Sequence, residues 1–183
     1  MTRRILIALA ALAAAACGKE SLQATYDKQT TYIENFVAAR QKETPEATLV
    51  RQDGAYRLTL NDLPEDASPA LKQGQRVTLF YGCFLLTSAT LNSGNLVSTN
   101  IKELADQAKW TLSDESIFEP LTITVDDSLV PGLASGLVGM QAGEAAYILF
   151  TGEYGYGNSE RGTIPALSAL AYYIQIEEID PHE

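Results

Sequence analysis

A tyrosine-bearing loop followed by an alternating strand, in residues 152–179, constrains this chain more than any other segment. Three glycines, at positions 152, 155 and 157, flank and separate Tyr154 and Tyr156 in the loop, and glycine accepts the sharp or left-handed backbone that such a loop needs. After Pro165 the side chains alternate between two faces, which predicts a half-buried strand. One face of that strand carries Leu170, Tyr172, Ile174 and Ile176. We therefore expect the strand to hold the loop over a sheet, with the functional site beneath the loop.

Composition and charge exclude several kinds of function. The chain of 183 residues has a formal net charge of −10, opposite in sign to the surfaces that bind nucleic acid, so no nucleic-acid partner is expected. Its one histidine is His182, and one histidine supports neither a histidine-based catalytic dyad nor a multi-histidine metal site. No cofactor and no metal are expected. A chain of this length holds one domain with extensions.

The first residues predict an export signal rather than part of the fold. Two arginines at positions 3 and 4 precede an apolar run that is too short to span a bilayer, so residues 1–16 are interpreted as a signal peptide. Ala14-Ala15-Ala16-Cys17 resembles a bacterial lipobox, with alanine at 14 in place of the more usual leucine. The resemblance implies lipid on the thiol of Cys17 and anchoring to a membrane of the cell envelope, facing the periplasm or the cell exterior. The alternative is an ordinary signal peptide cut near the same place.

The second cysteine, Cys83, lies in an apolar strand pattern. If Cys17 carries lipid, no disulfide can form within the chain. We interpret Cys83 as a buried side chain that packs as a small hydrophobe. The alternative interpretation is a reactive thiol.

An N-terminal helix is predicted ahead of the main domain. Residues 17–21 are expected to form a lipid-anchor tether, residues 22–48 a helix with a linker, and residues 49–183 the main domain. Apolar residues of the helix fall near one stripe, and Thr44-Pro45 is expected to end it. The stripe fits packing onto the main domain or spacing from the membrane. A homodimer formed through this helix is the other interpretation.

The main domain predicts an α+β fold with a sheet of about five strands and one central short helix. Alternating patterns predict a hairpin over 49–60 that turns at Asp53-Gly54, and further strands over 76–85, 120–125, 146–150 and 170–177. Pro131 suits the first turn of a helix over 131–140. Residues 101–109 predict a second short helix in an insertion. Trp110, which follows it, is interpreted as a packing anchor rather than a ligand platform.

A set of motifs in fixed order resembles the FKBP family, the macrolide-binding peptidyl-prolyl isomerases. The motifs are Gly74-Gln75-Arg76-Val77, Tyr81-Gly82, Leu129-Val130-Pro131-Gly132, Gly136-Leu137-Val138-Gly139-Met140, Gly143-Glu144, Tyr154-Gly155-Tyr156-Gly157 and Gly162-Thr163-Ile164-Pro165-Ala166. The resemblance covers residues 71–179. It implies a twisted antiparallel sheet wrapped around the short helix, with a pocket between them. It also implies proline-containing polypeptides as substrates.

The resemblance also implies which residues form the site. Tyr81 matches the family's pocket tyrosine, Val130 the residue whose backbone N–H donates to the substrate carbonyl, and Tyr156 the tyrosine whose hydroxyl donates to the ligand; these are the candidate catalytic residues. The candidate substrate-binding residues are Val97, Leu121, Leu129, Leu133, Ile164 and Tyr172. The alternative for the apolar residues, Leu121 and Leu133 in particular, is plain core packing.

Two departures from the family pattern leave two functional hypotheses. Val97-Ser98 stands where the family has a Phe-Asp pair, and residues 99–119 form a longer segment that could cap or block the pocket mouth. The first hypothesis is an active isomerase that assists folding of exported proteins. The second is a degenerate domain that binds proline-containing or unfolded segments without much catalysis. Prolyl rotation needs no nucleophile or metal, in agreement with the lack of an acid–base constellation in the sequence.

Overall fold

An antiparallel sheet of seven strands forms the centre of the structure. The computed structural model describes residues 2–63, 68–111 and 114–180, with residues 2–19 described by their backbone alone. The helices are α1 (Thr2–Glu43), α2 (Lys102–Gln107) and α3 (Pro131–Leu137). The strands are β1 (Thr48–Gln52), β2 (Ala55–Thr59), β3 (Arg76–Leu85), β4 (Leu96–Thr99), β5 (Leu121–Thr124), β6 (Ala145–Phe150) and β7 (Leu170–Ile179).

The sheet order confirms the predicted fold class and extends the sheet. The strands follow the order β1-β2-β6-β7-β3-β4, and β5 also pairs with β3. The sheet has seven strands rather than about five: both arms of the predicted hairpin and the four other predicted strands are all paired, and the short β4 adds one more. Asp53 and Gly54 form the predicted hairpin turn with φ of 44° and 80°, the left-handed pair that suits a two-residue connection.

Helix α3 packs on one face of the sheet through two glycines. On β6, Ile148 and Phe150 are fully buried beneath it. A Cβ atom at Gly132 would overlap the Phe150 side chain, and one at Gly136 would overlap Ile148. Glycine at these two positions therefore sets the short distance between α3 and the sheet.

Helix α1 packs on the opposite face. Ile33 and Phe36 are at most 1% exposed and share a buried cluster with Leu149 of β6, whose side chain points away from α3. The Phe36 ring meets the Tyr147 ring edge to face at 5.1 Å. The apolar stripe of α1 is thus used within the chain, as the packing interpretation expects. A homodimer through this helix stays a prediction.

The helix ends at Glu43, directly before Thr44-Pro45 as predicted. Within the described part of the chain no helix is both long enough and apolar enough to cross a membrane. The side chain of Cys17 and residues 181–183 lie outside the described residues. The signal peptide, the tether and the lipid on Cys17 stay predictions.

The insertion between β4 and β5 contains the predicted short helix, α2. Lys109 has a left-handed φ of 57° just beyond this helix. Trp110 is half-buried, and its backbone N–H donates to the Ala105 carbonyl at 3.0 Å. The packing role of the Trp110 side chain stays a prediction.

Gly136→Ala is expected to lower the free energy of unfolding by about 1–3 kcal/mol, because the added methyl group must displace the buried Ile148 side chain or lift α3 from the sheet. Urea unfolding followed by circular dichroism measures the change. Ser135→Ala, on the neighbouring and only half-buried position of α3, is the matched control and should change stability much less. Equal stability of Gly136→Ala and the unsubstituted chain would contradict the close packing described for α3.

Candidate active site

A cavity of about 180 Å³ lies between α3 and the inner face of the sheet. Five of the predicted site residues line it, and they are Tyr81, Leu121, Leu129, Leu133 and Tyr172. Leu133 and Tyr172 are each 8% exposed, whereas Leu121 is 43% exposed. A volume of this size is below the about 300–1,000 Å³ of pockets for drug-sized ligands, so the cavity fits one small side chain of a longer molecule. The high exposure of Leu121 indicates that it stands at the cavity mouth.

The other predicted residues surround the cavity without lining it. Val97, Val130, Tyr156 and Ile164 all pack in or against the same apolar cluster as the cavity walls. Ile164 is 7% exposed and is fixed by two backbone hydrogen bonds of 2.9 Å with Arg161. The structure thus places these four residues beside the cavity, and their functional roles stay predictions.

Val130 is the N-cap residue of α3, with non-helical backbone angles of φ −58° and ψ 129°. Its carbonyl accepts the first hydrogen bonds of the helix, from Leu133 and Ala134. Its N–H has no acceptor among the residues that the structure describes. A free N–H at the start of a helix is a ready donor for a carbonyl group.

A row of hydroxyl and thiol groups crosses three strands beside the cavity. Cys83 of β3 pairs with Ser98 of β4 on one side and with Tyr172 of β7 on the other. The Cys83 thiol lies close enough to both side chains, and the Tyr172 hydroxyl close enough to that of Tyr156, for the neighbours to affect one another's pKa values. These contacts connect the loop tyrosine to the cavity wall.

Burial keeps this row uncharged. It raises the pKa of the Cys83 thiol to about 11, against the smaller opposing effect of the Tyr172 and Ser98 side chains. Burial, followed by the neighbouring Cys83, also raises the pKa values of Tyr172 and Tyr156. Cys83 is buried as predicted, and it also contributes polar contacts that the interpretation as a small hydrophobe did not include. A thiol with a raised pKa is a poor nucleophile, which argues against the reactive alternative.

Asn100 holds together the strands that carry the cavity wall. Along one edge of β3, pairing with β5 ends at Leu79 and pairing with β4 begins at Gly82. The Asn100 side chain, 4% exposed, bridges this gap: it accepts from the Tyr81 N–H at 2.6 Å and donates to the carbonyls of Leu79 and Glu119 at 3.1 and 3.0 Å. The position of Tyr81 therefore depends on Asn100.

Sequence reasoning missed several members of the wall. The additional lining residues are Leu79, Ser98, Ile123, Leu137 and Ile174. The period-two pattern places Leu79 and Ile174 on the same strand faces as Tyr81 and Tyr172, which is the signal that could have identified them. Nothing in the sequence pattern indicates the bridging role of Asn100. Across the described ranges, no group of three or more His, Cys, Asp or Glu side chains is arranged to hold a metal ion.

The comparisons with known proteins agree with this geometry. The family model described as FKBP-type peptidyl-prolyl cis-trans isomerase matches residues 68–177. A similar solved structure is a peptidyl-prolyl cis-trans isomerase from Pseudomonas syringae pv. tomato str. DC3000, with 18% identity, a TM-score of 0.56, and coverage of 87% of this chain and 96% of that chain. The comparison with curated proteins gives no match.

A second similar structure contains the three FKBP domains of wheat FKBP73. It is 18% identical, with a TM-score of 0.55, and the alignment covers 73% of this chain and 51% of that one. This chain therefore spans about half the length of the wheat chain. At these identities the two solved structures support the fold alone.

Asn100→Ala is expected to lower the free energy of unfolding by about 2–4 kcal/mol, because it leaves one buried N–H and two carbonyls without their partner. Chemical denaturation measures the loss. Asn95→Ala is the matched control, since the Asn95 side chain donates one exposed hydrogen bond, to Thr87 at 2.9 Å. If the two variants lost similar stability, the bridging role of Asn100 would be wrong.

Stability should decline as the pH rises from 9.0, the ordinary thiol value, toward about 11, the pKa of folded Cys83. In this window the unfolded chain releases the thiol proton and the folded chain keeps it, so the unfolded state gains about 2–3 kcal/mol from Cys83. Denaturant unfolding between pH 8 and 11 measures the slope. Cys83→Ala should have a shallower slope, because only the groups common to both proteins still titrate. Parallel slopes would contradict the raised pKa.

Proposed function

Because the chain belongs to the family of FKBP-type peptidyl-prolyl cis-trans isomerases, whose model matches residues 68–177, we propose that it accelerates rotation about X-Pro bonds of polypeptides bound at the cavity. The observation that carries the proposal is the small, apolar cavity itself, which is open at Leu121 and takes one side chain. A proline ring in this cavity would leave the rest of the polypeptide outside.

The proposed mechanism is preferential binding of the twisted amide. Rotation of a peptide bond faces a barrier of about 18–20 kcal/mol, because resonance between nitrogen and carbonyl must be broken. The carbonyl of the twisted amide carries less charge than that of the planar amide and is less hydrated. Transfer from water to apolar walls such as Leu133 and Tyr172 therefore costs less free energy for the twisted state than for the planar state. Binding that is tighter in the transition state raises the rate. Each 1.4 kcal/mol of that preference is worth about tenfold.

Two groups beside the cavity are suited to orient the substrate. The Val130 N–H, without an acceptor in the described structure, would donate to a substrate carbonyl. The Tyr156 hydroxyl, kept protonated by its raised pKa, would donate to a second one. Tyr81 would pack against the proline ring as part of the wall. None of these steps moves a proton or forms a covalent bond.

The long insertion leaves room for this activity. Neither Trp110 nor any residue of α2 is among the residues that line the cavity in the described structure. This absence favours an active isomerase over a domain whose pocket is blocked. Ser98, in place of a family carboxylate, keeps a hydrogen-bonding group at the wall but removes its charge.

The sequence supports a cellular setting for the proposed activity. With a signal peptide in residues 1–16 and lipid on Cys17, the enzyme would work in the cell envelope, attached to a membrane and facing the periplasm or the exterior. Its substrates would then be exported proteins with X-Pro bonds. Mass spectrometry of the chain isolated from a membrane fraction tests the lipid on Cys17.

The decisive experiment is cis-to-trans conversion of a short X-Pro peptide by the full chain, by Tyr156→Phe and by Leu133→Ala. We expect acceleration over the uncatalysed rate, and kcat/KM lower by about tenfold in each variant, through loss of a hydrogen bond to the substrate and loss of apolar contact, respectively. Tyr154→Phe is the matched control. The Tyr154 ring packs against Gly54 of the hairpin turn and against the apolar cluster, but it does not line the cavity. Because the substitution removes only the hydroxyl and keeps the ring, this variant should retain full activity.

No acceleration by a chain shown to be folded by circular dichroism would overturn the isomerase proposal. In that case binding of the same peptide, measured by calorimetry, distinguishes a domain that only binds proline-containing segments from one that does not use the cavity. If circular dichroism shows that Leu133→Ala is not folded, the test of activity uses Tyr156→Phe, which removes one hydroxyl without opening a void.

A further inference from the structure

One glutamine of α1 joins the two ends of the loop that carries Tyr156. The Gln29 side chain donates to the Leu167 carbonyl at 2.6 Å and accepts from the Gly152 N–H at 2.8 Å. We propose that Gln29 is a positioning residue for this loop, so that the N-terminal helix is part of the working site. Its catalytic effect rests on the proposed isomerase function.

The two hydrogen bonds use both the nitrogen and the oxygen of the side-chain amide. Glutamine offers an acceptor oxygen and a donor nitrogen, and here each meets the complementary backbone group. Both bonds span long stretches of chain, with partners 123 and 138 residues away, and both are partly buried. Truncation of Gln29 would leave an N–H and a carbonyl of the loop without their partner at once.

Backbone hydrogen bonds connect the two residues bound by Gln29 to the neighbour of Tyr156. The Gly157 N–H donates to the Gly152 carbonyl at 2.9 Å, and the Leu167 N–H donates to the Gly157 carbonyl at 2.7 Å. Gly157 directly follows Tyr156 in the chain. Gly152 and Leu167, the two residues bound by Gln29, are therefore each joined by one backbone hydrogen bond to Gly157, the residue next to Tyr156.

The loop base is held in a conformation that needs this support. Leu167 has a left-handed φ of 60°, which is unfavourable for a residue with a side chain. A Cβ atom at Gly152 would overlap the Leu167 backbone, so the two segments already lie as close as glycine permits. Hydrogen bonds from Gln29 to both segments stabilise that close approach.

Helix α1 presents Gln29 from a fixed position. Ile33 and Phe36 follow Gln29 by one and two helical turns on the same side of α1, and both are buried against the sheet. The helix cannot shift without exposing these residues. The family match begins at residue 68, so the contact comes from a part of the chain that the family model does not include.

The first test is amide hydrogen exchange of the full chain carrying Gln29→Ala. We expect exchange at Gly152, Gly157 and Leu167 to be about tenfold faster, the size expected when a partly buried hydrogen bond is lost, with the amides of β3 and β7 unchanged. Gln23→Ala is the matched control on the same helix, because the Gln23 side chain donates only to Asp27 in an exposed contact of 2.9 Å. Unchanged loop exchange, or faster exchange across the whole sheet, would overturn the proposal.

The second test separates positioning from general stability. A displaced Tyr156 hydroxyl weakens substrate binding, so Gln29→Ala should raise KM about threefold to tenfold with little change in kcat, whereas partial unfolding would lower kcat alone. In a Tyr156→Phe background the same substitution should add little, because both changes act on one group. Unaltered kinetics together with faster loop exchange would refute the positioning role.

The two tests distinguish a failure of the Gln29 proposal from a failure of the proposed isomerase function. An unsubstituted chain without isomerase activity would defeat the proposed function, and hydrogen exchange would still decide whether Gln29 holds the loop. An active chain whose Gln29→Ala variant keeps both loop protection and KM would defeat only the present inference.

Discussion

The hydrogen-bonding requirement of strand β3 organises both the fold and the candidate site. A buried strand must satisfy its backbone N–H and carbonyl groups on both edges. Strand β3 pairs with β7 along one edge, and with β5 and then β4 along the other. Between Leu79 and Gly82 this second edge passes from β5 to β4, a fork in the sheet, and the side chain of Asn100 bridges it. Because the cavity wall includes residues of β3, β4 and β5, the structure of this fork also determines the shape of the cavity.

The chemical character of the cavity follows from burial rather than from charged groups. Apolar side chains from α3 and the sheet form most of its wall. The polar side chains that line it, Tyr81, Ser98 and Tyr172, carry hydroxyls, and burial raises the pKa values of Tyr172 and of the neighbouring Cys83 thiol, so both stay protonated. Such a site can bind and orient a neutral amide, and it offers no group for proton transfer or nucleophilic attack. This character agrees with the proposed rotation of X-Pro bonds.

Helix α1 makes the sheet a middle layer between two helices. The period-two pattern of β6 sends Ile148 toward α3 and Leu149 toward α1, and both are fully buried. A helix outside the matched region 68–177 therefore contributes part of the buried core. Through Gln29 it also reaches the loop on which the proposed substrate contacts depend. The stability of the extension and the geometry of the site are thus connected through one helix.

Local sequence pattern and long-range contacts determine different features of this protein. Alternation along β3 and β7, the Asp53-Gly54 turn and Pro131 at the start of α3 determined by themselves the main elements, the α+β class and the strand faces that bear Tyr81 and Tyr172, because each depends only on neighbouring residues. The order of the glycine motifs indicated the family. Tertiary structure alone decided that Cys83 lies between Ser98 and Tyr172, that Asn100 closes a fork, and that Gln29 meets Gly152 and Leu167. Those contacts depend on strand register and on helix placement, which join residues far apart in the chain, and no local periodicity encodes them.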